Sequence, residues 1–494
     1  MTRSIESESQ DTLQDNRMPQ LSDPELEKAE KFTTDASPPS SFPAEEIDPR
    51  NPKIWPRWKK LMNFCTIFGN TFLGYFTSAV YVPATVDLRH FFDTSLTVIN
   101  ATIALFIFVV GLAPLIWAPL SERIGRKYIY VSSAALYVIF TIICGISNNL
   151  GLFFAMRLLQ GIAASAGMAV GGGTVVDLFE PHERGRYMSF FMASLILGPA
   201  VGPIAGGFID QYLSWRWIFY ISAMVGGAVL LADIFLLSET LYRRNNEINA
   251  TSTSEKFKQF LQRVKFNPFT VLNLLLRPEV ALVCFAQSVI FGWFYMLVTV
   301  LTPTYVERFN FPTGYIGLLF IAAAIGNLSG SVVAGFVSDS VYARQRRKNN
   351  GVAKTEARLL PVYIGIPFLV AGMLLYGWLL YANVHWFAPL PGLLLFCLGA
   401  MYSITTSTTY IVEAHLKRSA SVVSVANFCR NLFAMIFSLI SLNIRQGLGD
   451  GWSYTLAALT ILVITLACFL FVQKFGERLR ESYQQRQQQQ QQQQ

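Results

Sequence analysis

Charge is scarce in this sequence. Of its 494 residues only 14% are Asp, Glu, Lys or Arg, where a soluble chain carries about 25%. Histidine is scarcer still: His90, His182, His385 and His415 stand apart from one another, so no catalytic constellation forms around them and an enzyme is not expected. The six cysteines (Cys65, Cys144, Cys284, Cys397, Cys429, Cys468) never form a CxxC pair or a Cys/His cluster. That argues against a disulfide framework and against a bound metal. The polar, acidic start lacks the cationic and apolar pattern of a cleaved leader, so the first apolar run is expected to direct insertion itself.

Apolar residues fill the space, at 52% of the chain. A helix crossing the ~30 Å hydrocarbon core needs roughly 20 mostly apolar residues. Runs that meet this lie near 60–82, 97–118, 128–146, 151–174, 188–209, 217–238, 280–302, 314–337, 359–380, 388–411, 420–442 and 452–473. The expected fold class is therefore an all-α membrane protein with twelve transmembrane helices in two six-helix halves, resident in the lipid bilayer.

Five stretches follow: an acidic, disordered tail over 1–54, a first half over 55–238, a central loop over 239–279, a second half over 280–475, and a Gln-rich tail over 476–494. The tail compositions are too polar to fold alone. In the central loop Phe257, Phe260, Leu261 and Val264 recur at helical spacing among lysines and an arginine, which suits an amphipathic helix on an anionic leaflet or a plain linker helix.

Loop charge sets the orientation. With the N-terminus in the cytosol, the cytosolic loops hold Arg123, Arg126, Lys127, Arg184, Arg186, Arg344, Arg346, Arg347, Lys348, Lys354, Arg358, Lys417 and Arg418, while the opposite loops hold only Arg89, Arg216, Arg308 and Arg445. This bias places both termini in the cytosol. The net charge of +8 then reflects topology, and no nucleic-acid partner is implied.

Three motifs stand out. After the second run comes Ala118-Pro119-Leu120-Ser121-Glu122-Arg123-Ile124-Gly125-Arg126-Lys127, an acid, a turn glycine and a cation cluster that suit a latch between helices. A weaker copy, Gly335-Phe336-Val337-Ser338-Asp339 followed by Arg344, Arg346 and Arg347, follows the eighth run and suggests an internal repeat. The fourth run carries Arg157-Leu158-Leu159-Gln160-Gly161, an intramembrane arginine that needs a partner or a wet cavity. The fifth reads Gly198-Pro199-Ala200-Val201-Gly202-Pro203-Ile204-Ala205-Gly206-Gly207. There Gly198, Gly202 and Gly206 share a face for close helix contact, and the two prolines bend the helix.

The loop motif resembles the signature between helices two and three of the major facilitator superfamily; Arg157 to Gly161 resembles its helix-four signature, and the fifth run its antiporter motif. With Trp215-Arg216-Trp217-Ile218-Phe219 and Ser238-Glu239-Thr240, the chain is similar over about 55–475 to fungal twelve-helix drug:proton antiporters. Arg346-Arg347-Lys348 and Glu356-Ala357-Arg358-Leu359 are similar to the quinidine-resistance branch, which includes organic-acid exporters. The resemblance implies the major facilitator fold, export and proton coupling, with no cofactor beyond the proton gradient. It departs at Ala118, where the family usually has Gly, and in the weak copy around Asp339.

In that fold the cavity lies between spans one, four, seven and ten. Its expected polar groups are Asn70 and Ser78; Arg157 and Gln160; Gln287, Ser288 and Tyr295; and Tyr402, Thr405, Thr406 and Thr409. Arg157 and Arg430 are the deep charges, while Asp233 is the only acid well inside a span and the candidate for the coupling proton. Forked guanidinium donors suit carboxylates. The expectation is thus a monomeric exporter of small molecules and protons, leaning to di- or tricarboxylates such as citrate, with a polyspecific multidrug antiporter as the alternative. Substrate contacts are expected from Arg157, Gln160, Gln287, Tyr402, Thr406 and Arg430, and gating or coupling from Glu122, Arg123, Gly125, Arg126, Asp233 and Asp339. The plasma membrane is the expected site, with the vacuolar membrane second.

Overall fold

The computed structural model describes residues 51–241, 268–348, 355–415 and 419–492. All of its regular elements are helical. Ten segments are long and apolar enough to cross a membrane. The last of these, Ser421–Glu481 with 61 residues, is two helices joined end to end: at about 1.5 Å per residue a single one would be some three membranes long. The break falls at Gly449, whose φ of 72° lies outside the helical region. Splitting it makes eleven.

The twelfth is Arg57–Ala79, less apolar because it carries Lys59, Lys60, Asn63 and Asn70, yet packed on its neighbours along its length. In chain order the helices are α1 (Arg57–Ala79), α2 (Leu96–Ile124), α3 (Arg126–Ile146), α4 (Leu150–Leu178), α5 (Pro181–Tyr212), α6 (Trp215–Phe235), α7 (Pro278–Phe309), α8 (Thr313–Lys348), α9 (Val362–Tyr381), α10 (Leu390–Ala414), α11 (419–448) and α12 (450–492).

Local chemistry sets the boundaries. Ser95 caps α2, its Oγ accepting from the Val98 amide, and Asn149 caps α4 by accepting from Gly151. Gly125, at φ 127°, turns the chain between α2 and α3 with no residue to spare. Asn310 closes α7 in the left-handed conformation at φ 50°.

Packing follows a repeat of six. Helix α1 lies on α5 as α7 lies on α11, and α3 pairs with α6 as α9 pairs with α12. The halves meet through α2 on α11 and, equivalently, α5 on α8. Such a duplicated arrangement is that of rocker-type transporters.

The core is uneven between the two membrane faces. On the face opposite the termini one apolar cluster spans both halves, joining Phe76, Val80, Tyr81 and Val82 to Ile290, Trp293, Leu297 and Leu301. There Gly314 N donates to Gln211 Oε1 at 3.0 Å, tying α8 to α5. On the terminal face the core splits in two. One cluster (Phe64, Ile67, Ile129, Val170, Leu178) belongs to the first half, and another (Val280, Val283, Val422, Val472) to the second. The short helix Pro268–Leu276 is an exception, reaching the last turns of α2. Among the described residues the apolar core is therefore continuous between the halves on the far face and divided on the terminal one.

Two expectations at the chain ends change. The Gln-rich tail is not irregular as far as Gln492: it continues α12, as good helix formers such as Gln, Glu and Arg allow. Pro52–Ile54, at the end of the acidic stretch, forms a single 3₁₀ turn capped by Asn51. Residues 1–50 and the proposed amphipathic segment Phe257–Val264 lie outside the described residues.

Candidate substrate cavity

A cavity of about 190 Å³ lies between the halves, near mid-membrane. The first half contributes Tyr75, Ser78 and Ala79 from α1 and Val82 from the turn after it, with Leu195, Pro199, Ala200 and Pro203 from α5. The second contributes Phe291, Phe294, Tyr295 and Val298 from α7, Phe320 and Asn327 from α8, Ala400, Met401 and Ile404 from α10, and Asn427 and Arg430 from α11. Span four supplies none of these residues, and spans five, eight and eleven supply many.

Arg430 is the only lining residue with a full charge at neutral pH. Its Nη2 makes one long contact, 3.5 Å to Asn427 Oδ1, its guanidinium carbon stands 5.8 Å from the Phe291 ring, and its Nε has no hydrogen-bond partner among the described residues. A guanidinium at this depth with so few acceptors around it is costly unless a ligand supplies more.

The other expected polar residues sit elsewhere. Arg157 is fully buried inside the first half, its guanidinium 3.9 Å from the Tyr81 ring and 4.3 Å from that of Phe106. Its Nη1 donates to Gln160 Oε1 at 2.6 Å, and Gln160 Nε2 donates to Thr141 Oγ1 at 2.6 Å. This aromatic cage with a polar tether holds α4 to α2, α3 and the turn after α1, away from the cavity wall. Gln287 donates to Ser407 and Thr408, joining α7 to α10 within the second half. Tyr402 packs against Gly365, and Thr406, Thr409 and Ser78 bond back to carbonyls of their own helices. Of these groups Ser78 and Tyr295 line the cavity.

Asp233, fully buried, accepts from Asn70 Nδ2 at 2.8 and 3.0 Å, a tie from α6 to α1. The glycine face of α5 also meets α1. A methyl group added at Gly198 would stand 2.6 Å from Tyr75 Cβ, at Gly202 3.0 Å from the Phe76 carbonyl oxygen, and at Gly206 1.5 Å from that of Val80. The backbones touch, and Pro199 and Pro203 turn their rings to the cavity instead.

The loop motif forms a charge cluster on the terminal face. Arg126 Nε donates to Asp177 Oδ2 at 3.1 Å and its Nη1 to Ser121 Oγ at 2.6 Å, linking α2, α3 and α4. Glu239, just past α6, accepts from the Arg126 and Lys127 amides at 2.9 and 3.2 Å, an anion on the N-terminus of α3. Gly125 has no room for a side chain because this carboxylate stands 2.5 Å from where its Cβ would be. Glu122 and Arg123 occupy the last turn of α2, Glu122 exposed and Arg123 half-buried.

The second half repeats the scheme with other residues. Arg358 donates to Asp339 at 2.5 Å and to Glu413 at 2.7 Å, so its place matches that of Arg126, and Glu413 matches Asp177. Arg358, nineteen residues further along the chain, takes the Asp339 carboxylate. Sequence reasoning missed Tyr75, Asn327 and Asn427 as wall residues, Glu239 as a cap and Glu279, which stands 3.6 Å from His415. The rule that polar residues within apolar spans are functional would have found the two asparagines.

Two six-helix bundles about a central cavity, with charge clusters on one face, are the plan of a membrane transporter. The Major Facilitator Superfamily sequence profile matches residues 67–438, and the chain belongs to that family. It is 32% identical over 455 residues to the MFS-type transporter hepF of Aspergillus oryzae, covering 89% of this chain and 94% of that protein. The efflux pump radE of Floropilus chiversii is also 32% identical, over 88% of this chain and 83% of the pump. Among solved structures, a partially occluded inward-open xylose transporter XylE from E. coli superposes with a TM-score of 0.60 at 16% identity, over 85% of this chain and 98% of that one. A D-xylose-proton symporter gives 0.62 at 17% identity, over 83% and 96%. These two share the fold.

Proposed function

We propose that the protein is a proton-coupled exporter of small organic acids. The observation that carries this reading is Arg430, the one charged side chain on the wall of the cavity between the halves, whose Nε has no partner among the described residues. Forked N–H donors in an apolar surround select a carboxylate. Export is supported by the antiporter-type glycine face and by a relative named as an efflux pump. Proton coupling rests on Asp233, a buried carboxyl held between α1 and α6 by the neutral amide of Asn70. With cytosolic termini, the face on which the apolar core divides is the cytosolic one, where substrate loads for export. The protein acts as a monomer in the plasma membrane, without a cofactor.

A citrate-like substrate would need more than one guanidinium in the cavity. With Arg157 caged inside the first half, one guanidinium remains. The aromatic lining favours a second reading, a polyspecific pump for lipophilic drugs. Efflux of a labelled organic acid and of a labelled cationic drug from cells expressing the chain separates the two. Acid efflux lost in Arg430→Gln supports the exporter; robust drug efflux with no acid efflux refutes it.

A further inference from the structure

We infer that the cavity takes an amphipathic monocarboxylate, one carboxylate on a compact apolar or aromatic body, in preference to a di- or tricarboxylate. This rests on the organic-acid reading and narrows it. Arg430 is the sole cation among the lining residues, and Asn427 beside it is the nearest neutral donor. A second or third carboxylate would be stripped of water with no positive partner, which costs far more than a first carboxylate gains.

The rest of the wall points the same way. Phe291, Phe294, Tyr295 and Phe320 present rings from α7 and α8, and Tyr75 adds a fifth from α1. The Tyr75 hydroxyl is already spent on Met168 Sδ at 2.8 Å, so that ring offers its apolar body. The rings of Phe291 and Tyr295 meet edge to face at 5.0 Å, and Phe291 stands beside the guanidinium, so charge and aromatic surface adjoin. A ligand with its carboxylate on Arg430 therefore lays its body along these rings. Size agrees: about 190 Å³ is small against the ~300–1,000 Å³ of pockets that enclose drug-sized ligands.

The test is binding of radiolabelled phenylpropionate to the purified full-length chain in detergent, competed by unlabelled phenylpropionate, its neutral amide, phenylpropylamine and citrate. Phenylpropionate should compete at least about tenfold better than each of the other three. Arg430→Gln should bring it down to the level of the amide, whose own affinity stays, and Arg430→Lys should fall between because it lacks the fork. Citrate binding as well as phenylpropionate, with loss in Arg430→Gln, would overturn the monocarboxylate and leave the organic-acid reading intact. Amide or amine binding as well as the acid, unchanged in Arg430→Gln, would overturn both. Absence of phenylpropionate binding to the wild type overturns the monocarboxylate. Should Arg430→Gln fail to fold, the wild-type competition order decides alone.

Discussion

The two halves repeat one helix plan and spend it on different chemistry. In the first half three ionisable groups are turned inward: Arg157 lies in its ring cage, Asp233 against Asn70, and Arg126 is almost closed off from solvent. To the cavity this half gives small and apolar side chains. The second half gives the arginine and most of the rings. The corresponding latches differ too. Asp177 beside Arg126 is one-quarter exposed, whereas Asp339 beside Arg358 is 78% exposed. A duplicated scaffold can thus keep helix pairing constant while one half acquires the specificity groups and the other the tight hinge.

That contrast can be broken most severely at the α1–α5 contact. Gly206→Leu puts a side chain where even a methyl group would stand 1.5 Å from a backbone oxygen. Overpacking of this degree exceeds the ordinary 1–3 kcal/mol cost. Folded protein recovered by size-exclusion chromatography should drop sharply, and normal recovery would mean that α1 and α5 do not touch.

Next come the latches. Arg126→Ala abandons a partly buried Asp177 and the Ser121 hydroxyl, while Arg358→Ala abandons the half-buried Glu413 and a solvated Asp339. Exposed ion pairs contribute little. Both variants should insert and transport more slowly, Arg126→Ala the more impaired in vesicle uptake assays. The reverse order would show that exposure does not rank the two.

A smaller effect is expected from Glu239→Gln, which keeps the shape at the start of α3 but removes the anion. Helix-terminal charges are worth about 0.3–1 kcal/mol, so a thermal melt should shift downward by no more than a few degrees. The smallest belongs to Gly335→Ala, a position of the weak motif copy with open space around it. Unchanged melting and transport there, against collapse at Gly206, would show that motif resemblance and packing constraint are separable.

Much of the fold was legible because the bilayer dictates length: twelve runs near 20 residues yield twelve helices, and small-residue spacing in the fifth marked its contact face. The site was less so. Depth in a membrane can be read from sequence, but the direction a side chain faces depends on its neighbours. Arg157 and Arg430 look alike as intramembrane arginines, and only the packing of Tyr81 and Phe106 around the first tells them apart. Likewise Arg358, nineteen residues beyond Asp339, could not be preferred over the closer Arg344, Arg346 and Arg347 until the return of the chain to α9 placed it.

The central claim, that transport requires the halves to part on the face where α5 meets α8, is tested most directly by cross-linking. Gln211→Cys and Gly314→Cys replace residues in hydrogen-bond contact across the halves. Oxidising that pair should stop transport, and reduction should restore it. Undiminished transport by the fully cross-linked protein would contradict the account.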